Sequence, residues 1–229
     1  MHHIELVKEY LRDKGIKKSI TPSGLPFITI SREAGAGGHL LAHVIVTDLM
    51  KEIGEIYRGW EVCDKDIFHM MGQDKEINAS VNDLMTEKMN SEWFQFVNGL
   101  FSGREDEYMH HKMSFNVIRL IAALGKVVIV GRAGAFVTAG IHGGIHIRLV
   151  ARESARIRWM MKKFNINQEQ AEKMVKEQDH DKKKLVQTFF HADIADPLHY
   201  HCVWNTEMAS MHEISRAVIN IIKMRFTKE

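Results

Sequence analysis

The sequence lacks most of what would place it outside a reducing, aqueous compartment. It has two cysteines, Cys63 and Cys202, in 229 residues. One such pair cannot build the disulfide framework of a small secreted domain. No apolar run approaches the roughly 20 residues of a membrane-spanning helix, and Met1-His2-His3 leads into charged residues, not a signal-peptide core. Nor is there an excess of one charge. Lys and Arg total 31 against 29 Asp and Glu, a formal +2, which is too even for nucleic-acid binding by bulk charge. There is no internal repeat, low-complexity tract or interdomain linker. These absences argue against a membrane, secreted or fibrous protein. The expectation is a cytoplasmic chain with neither nucleic acid nor membrane as partner.

What is present is ordinary for a globular domain. The hydrophobic share is 45% and the charged share 26%, enough apolar material for a sizeable core. The length suits one enlarged domain. Residues 4–14 put Ile4, Val7, Tyr10 and Leu11 on one helical face, so residues 1–25 read as an N-terminal helix and connector. Its apolar face could pack on the core or on a second subunit, which leaves a homo-oligomer open.

From residue 26 onward, β-prone runs alternate with helical ones. Phe27–Ile30 is a strand, followed by a glycine-rich turn and a helix over 39–53 with Leu41, Val44, Ile45, Leu49 and Ile53 at helical spacing. Trp60–Cys63 is a second strand. Residues 67–125 read as a helical insertion, with Trp93, Phe94 and Val97 on one face and Val117, Ile118, Ile121 and Leu124 on another. Lys126–Val130 (KVVIV) has the look of a fully buried strand, and Ile145–Val150 follows it. A basic helix runs from Arg152 to Phe164. Asn167 with Gln170 forms a capping box for a helix through Phe190. A short strand over 200–204 precedes a closing helix marked by Ile214, Ala217, Val218 and Ile221. Strands separated by helices argue for parallel βαβ units with both sheet faces covered.

Gly35-Ala36-Gly37-Gly38 falls where the first strand turns into a helix. Glycines there let a backbone approach an anion, with helix amides and dipole behind it. The same residues also suit a tight turn that holds nothing. A dinucleotide fingerprint fails at Leu40, where a small residue is needed. A Walker-type loop fails at Gly38 and His39, where lysine and Ser/Thr belong.

With Phe27–Gly38 (FITISREAGAGG), the stretches Val62–Asp66 (VCDKD), Val127–Arg132 (VVIVGR), Asp181–Lys184 (DKKK) and Asp196–Thr206 (DPLHYHCVWNT) resemble the cytidylate kinase-like family. The resemblance implies a three-layer, P-loop NTPase-like parallel sheet over 26–229, with the helical insertion at 67–125 and a lid at 152–195. It further implies transfer of the γ-phosphoryl of ATP, usually with Mg²⁺, to a (deoxy)cytidylate-like acceptor. Transfer of this kind depends mostly on positioning and on electrostatic stabilisation of the phosphoryl oxygens.

On that resemblance, Arg32, Arg132, Arg156 and Lys184 would act as catalytic cations. Gly35, Ala36, Gly37, Gly38, His39, Asn205 and Thr206 would hold the donor nucleotide. Asp64, Lys65, Arg132 and Asp181 would meet the acceptor. Each has a plainer reading as well: Asp64 as a helix cap, Arg132 in a structural salt bridge, and 181–184 as a solvated charge run. His39 stands where the family often has arginine, and a neutral imidazole is a poorer phosphate clamp. His2-His3, His110-His111 and His199-x-His201 lack the spacing of a structural zinc site, so no metal site is expected from them. Met70, Met71, Met85, Met89, Met109, Met113, Met160 and Met161 read as core filler. The missing lysine and hydroxyl keep a second reading in play, a nucleotide- or anion-binding protein without turnover. A kinase for another small molecule is a weaker third.

Overall fold

The computed structural model describes residues 24–64 and 105–227, with the side chains of 105–113 excepted. The N-terminal helix, Lys65, most of the insertion at 67–125 and Met70, Met71, Met85 and Met89 therefore lie outside the described residues.

Five strands form one parallel sheet: β1 (Phe27–Arg32), β2 (Glu61–Cys63), β3 (Val127–Val130), β4 (Gly144–Val150) and β5 (Cys202–Asn205). Their order is β2-β3-β1-β4-β5. The central strand β1 pairs Ile30 with Val130 on one side and with Ile147 on the other. Because every pairing is parallel, all five carboxyl ends reach one edge. Arg32, Asp64, Gly131-Arg132, Ala151 and Thr206 follow those ends.

Strand alternation divides the core between the two faces. Ile28, Ile30, Val128, Val130, Ile145, Ile147 and Leu149 point toward α1 (Gly38–Leu49) and the closing helix. Phe27, Val127 and Ile129 point the other way, toward α2 (Glu105–Leu124), with Phe115, Ile118 and Ile121. A four-residue turn of helix, α3 (Gly134–Val137), follows β3. Two helices then form a hairpin, α4 (Glu153–Phe164) and α5 (Gln168–Phe190), before α6 (Met211–Phe226) closes the chain. This is the three-layer parallel-sheet architecture read from the sequence.

The capping box is formed as expected. The Gln170 amide donates to Asn167 Oδ1 at 2.9 Å, and the Asn167 amide donates to Gln170 Oε1 at 3.1 Å. Two boundaries differ from expectation. Helix α1 stops at Leu49, and Ile53 is 95% exposed, not a core residue; the backbone leaves helical geometry before Gly54, which sits at φ 135°. Strand β5 begins at Cys202, because Asp196 caps a turn of 3₁₀-helix over Pro197–His199 that holds Tyr200 out of the ladder.

Of the methionines expected in the core, Met160 is buried and Met161 packs beside it. Cys63 sits in the core under α2. Burial pushes its thiol up to about 12, so it stays protonated and inert.

Candidate functional site

The carboxyl edge of the sheet is organised by the loop between β1 and α1. Gly35 and Gly37 have positive φ, 83° and 85°, which L side chains rarely adopt. At Gly35 a Cβ would also lie 2.7 Å from the Arg156 carbonyl oxygen, so a glycine lets α4 press directly on the loop. At the start of α1 the first hydrogen bond is Leu41 N–H to the Gly37 carbonyl. The amides of Gly38, His39 and Leu40 make no hydrogen bond among the described residues, as helix geometry requires of a first turn.

Arg32 explains why residue 38 is glycine. A Cβ on Gly38 would come within 2.9 Å of Arg32 Cγ and 3.0 Å of its Cδ. The side-chain space that a loop lysine would take is filled by the stem of Arg32. Its guanidinium continues to Gly131, where a Cβ would collide with Nη1. The guanidinium makes no hydrogen bond or ion pair among the described residues. Burial works against its charge, Asp179 favours it and Arg132 opposes it.

Arg132 is brought beside Arg32. It occupies the left-handed region at φ 53°, directly after the β3 strand that pairs with β1. Both line a small cleft closed on its far side by α5. The third cation in the cleft is Lys182, not Lys184. Burial, and then the charge of Arg32, lowers its amine to about 8, with Asp179 acting in the opposite direction. Asp181 and Lys184 are exposed. The pair that faces the sheet has the same spacing two residues earlier, Asp179 and Lys182, whose Nζ donates to Asp179 Oδ1 at 3.1 Å. A shift of two residues turns a helix by about 200°, which carries 181 and 184 to the solvent side. The structure therefore puts Lys182 in the cleft and the expected Asp181 and Lys184 outside it.

Arg156 is likewise placed differently from expectation. It is 8% exposed and fully engaged below the glycine loop. Its Nη1 donates to Asp179 Oδ2 at 2.7 Å and to the Ala34 carbonyl at 3.0 Å, and its Nε lies 3.4 Å from Glu33. It braces the loop and does not line the cleft. Arg152 does not share its face, since α4 begins at Glu153 and Arg152 is the non-helical cap residue. Arg152 is exposed, 3.6 Å from Glu207.

Asp179 was not singled out by the sequence. Its Oδ1 also accepts the Ala34 amide at 2.7 Å, so one carboxylate joins loop, α4 and α5. The signal was present, because Ala171, Val175, Val186 and Phe189 are the buried residues of α5, and 175, 179, 182 and 186 form one i, i+4, i+7, i+11 stripe.

His39 and Asp64 meet at the other end of the loop, 3.6 Å apart. Burial and the Arg32 charge hold the imidazole below its usual value, against Asp64. His39 is therefore neutral near pH 7. Asn205 ends β5 in register with Val150, and its Oδ1 accepts the Glu207 amide at 3.0 Å. The Thr206 amide continues the pairing to the Val150 carbonyl. Both lie at the sheet edge but outside the cleft lining.

A cytidylate kinase-like family model matches residues 27–208, four-fifths of the chain. The chain belongs to the cytidylate kinase-like family. Among solved structures it is similar to an uncharacterized protein from Eubacterium ventriosum, with a TM-score of 0.69 and 18% identity over 87% of this chain and 99% of that one. A shikimate kinase from Acinetobacter baumannii, solved in complex with shikimate, gives a TM-score of 0.45 and 14% identity over 89% of this chain and 96% of that one. No curated protein sequence matches the chain. No helix among the described residues is long and apolar enough to cross a membrane.

Family membership suggests ATP, typically with Mg²⁺. The loop suits the phosphates of ATP, with three amides open at the start of α1 and the Arg32 cation alongside. It offers no hydroxyl for a metal ion, because His39 holds that position. Among the described residues no three His, Cys, Asp or Glu side chains gather in one place.

Proposed function

We propose that the protein is a phosphotransferase that moves the γ-phosphoryl of ATP to a small phosphorylated acceptor of the nucleoside monophosphate class, with (deoxy)cytidylate first among them. The observation that carries this reading is the convergence of Arg32, Arg132 and Lys182 on one cleft beside the glycine loop. Three cations in a partly enclosed site attract a multiply charged anion, and low local dielectric strengthens that attraction.

In this reading the amides of Gly38, His39 and Leu40 hold donor phosphates, and ATP supplies the transferred group. Arg32 lies between loop and cleft, where its charge serves both donor and acceptor. Arg132 and Lys182 seat the acceptor phosphate. Asp64 stands at the mouth of the sheet edge, where open α/β sheets collect ligands. Arg156, Glu33 and Asp179 keep the loop in its anion-binding shape, so the amides are aimed before any ligand arrives. Preorganised donors of this kind lower the barrier without reorganising during transfer.

A second reading has its own observation. Gly38 and His39 replace the lysine and hydroxyl of a Walker-type loop, and the lysine's space is filled by Arg32. This favours a nucleotide-binding protein without turnover.

Coupled ADP release over a panel of nucleoside monophosphates decides between them. Turnover with CMP or dCMP that is lost in Arg32→Ala supports the kinase. ATP binding by calorimetry with no turnover on any acceptor supports the binding protein.

A further inference from the structure

Arg148 is a buried cation beside the cleft with no charged partner among the described residues. It stands on β4 opposite Ser31 and is 6% exposed. Its Nη1 donates to Ser31 Oγ at 3.1 Å, and its guanidinium carbon lies 5.9 Å from the Tyr200 ring centroid. Among the described residues no carboxylate comes within ion-pair distance of it. A charge withdrawn from water in this way is costly unless an opposite charge comes near.

Arg148 limits where the Ser31 proton can point. Tyr200 Oη lies 2.9 Å from the Ile194 carbonyl and 3.2 Å from Ser31 Oγ. A carbonyl can only accept, so the single phenolic proton goes to Ile194. Ser31 Oγ has one lone pair filled by Arg148 and still holds its own proton. That proton can rest on Tyr200 Oη or turn to a group in the cleft, whose wall Ser31 forms. The arginine charge makes the hydroxyl a stronger donor.

We infer that Ser31 donates a hydrogen bond to a phosphate in the cleft, beside Arg32, Arg132 and Lys182, and that buried Arg148 is the positioning residue that fixes and polarises it. The ligand class is a phosphate dianion, free or as a monoester. The inference rests on the cleft being the acceptor site.

The test is calorimetric titration of the full chain with inorganic phosphate and, in a second arm, with CMP. Ser31→Ala is expected to weaken phosphate binding about tenfold, the loss of one charge-assisted hydrogen bond, while Ser31→Thr stays within about threefold of the parent. Arg148→Met is expected to weaken binding about as much as Ser31→Ala, yet less than about twofold further when added to Ser31→Ala. If Arg148→Met does not fold, Arg148→Gln, which also removes the charge, takes its place in the same cycle. A Ser31→Ala protein that binds phosphate as tightly as the parent overturns the inference. It does so alone if Arg132→Met and Lys182→Met each lose binding, and together with the acceptor-site reading if they do not. Fully additive losses overturn the role of Arg148. CMP binding much tighter than phosphate, with both sensitive to Ser31→Ala, identifies a monoester as the ligand; equal affinities identify free phosphate.

Discussion

Asp179 accepts the backbone amide of Ala34 at 2.7 Å, across 145 residues of sequence. The same carboxylate takes Arg156 at 2.7 Å and Lys182 at 3.1 Å. A glycine loop with two positive-φ residues has little intrinsic stiffness, so its shape depends on this anchor. Asp179→Ala would leave Arg156 buried with Glu33 as its one carboxylate partner among the described residues and would free the Ala34 amide. Breaking a buried pair costs about 3–5 kcal/mol; with Asp179 29% exposed, a loss nearer about 2–3 kcal/mol is expected. Urea denaturation measures it. Asp181→Asn, on the solvent face of the same helix, should change stability by less than about 0.5 kcal/mol.

Lys182 gives anion binding a pH dependence. With its amine at about 8 in the folded protein, the charge facing the cleft disappears as pH rises through that value. Phosphate affinity should therefore fall between about pH 7 and 9, and binding above pH 8 should take up a proton. Calorimetry in buffers of different ionisation enthalpy reads both effects. Lys182→Met should remove this fall, leaving only the ionisation of phosphate itself, while Lys184→Met should leave the fall intact. Stability runs the opposite way. Between 8 and the ordinary lysine value the unfolded chain holds the extra proton, so the fold gains stability as pH rises through that window.

The misplacement of this lysine shows where sequence reading stops. The strands were legible because a parallel sheet buries both faces, and KVVIV can hardly be anything else. The strand–turn–helix junction was legible because glycines supply the positive φ that such a turn needs. The run EQDHDKKK is different: it carries charges at nearly every position, so residue type does not say which turn faces inward. Only the flanking Val175 and Val186 fix the face. Arg156 was misjudged for a related reason. It lies beside Ile157 and one turn before Met160, both buried, so an arginine on an apolar stripe was a brace and not an exposed cation. Ile53 continued the period of α1, but period alone does not say where a helix ends.

A half-buried histidine on β4 weakens the fold in acid. Thr29 Oγ1 lies 2.8 Å from His146 Nδ1, and the His146 amide donates to His201 Nδ1 at 3.0 Å. Burial, then the neighbouring His201, holds His146 down to about 4. Between about 6.5 and 4 the unfolded chain takes up a proton that the folded chain refuses, so stability falls on acidification. The limit is about 3 kcal/mol for a displacement of this size. Melting temperature across pH 7 to 4 should fall more steeply for the parent than for His146→Gln, which cannot titrate. Equal slopes would remove His146 as the cause.

The relation between Gly38 and Arg32 makes a counterintuitive prediction about the missing lysine. Restoring it alone, in Gly38→Lys, should not create a better kinase. The new Cβ would lie 2.9 Å from Arg32 Cγ, so one side chain must leave. Displacing the arginine removes a cation from the cleft while adding one at the loop, and overpacking costs about 1–3 kcal/mol. ATP and phosphate affinity should therefore drop in the single variant. Gly38→Ala isolates the steric part, since it adds the clash and no charge; its backbone is not in the left-handed region, so helix propensity partly offsets the strain. The double variant Arg32→Ala with Gly38→Lys relieves the collision and puts a lysine in the space Arg32 vacates. ATP affinity should recover in the double variant toward the parent, whereas phosphate binding in the cleft should stay weak for want of the Arg32 guanidinium. Recovery of ATP binding without recovery of phosphate binding is the pattern expected if Arg32 serves both the loop and the cleft. Gain of affinity in Gly38→Lys alone would show that the arginine does not occupy the lysine's space.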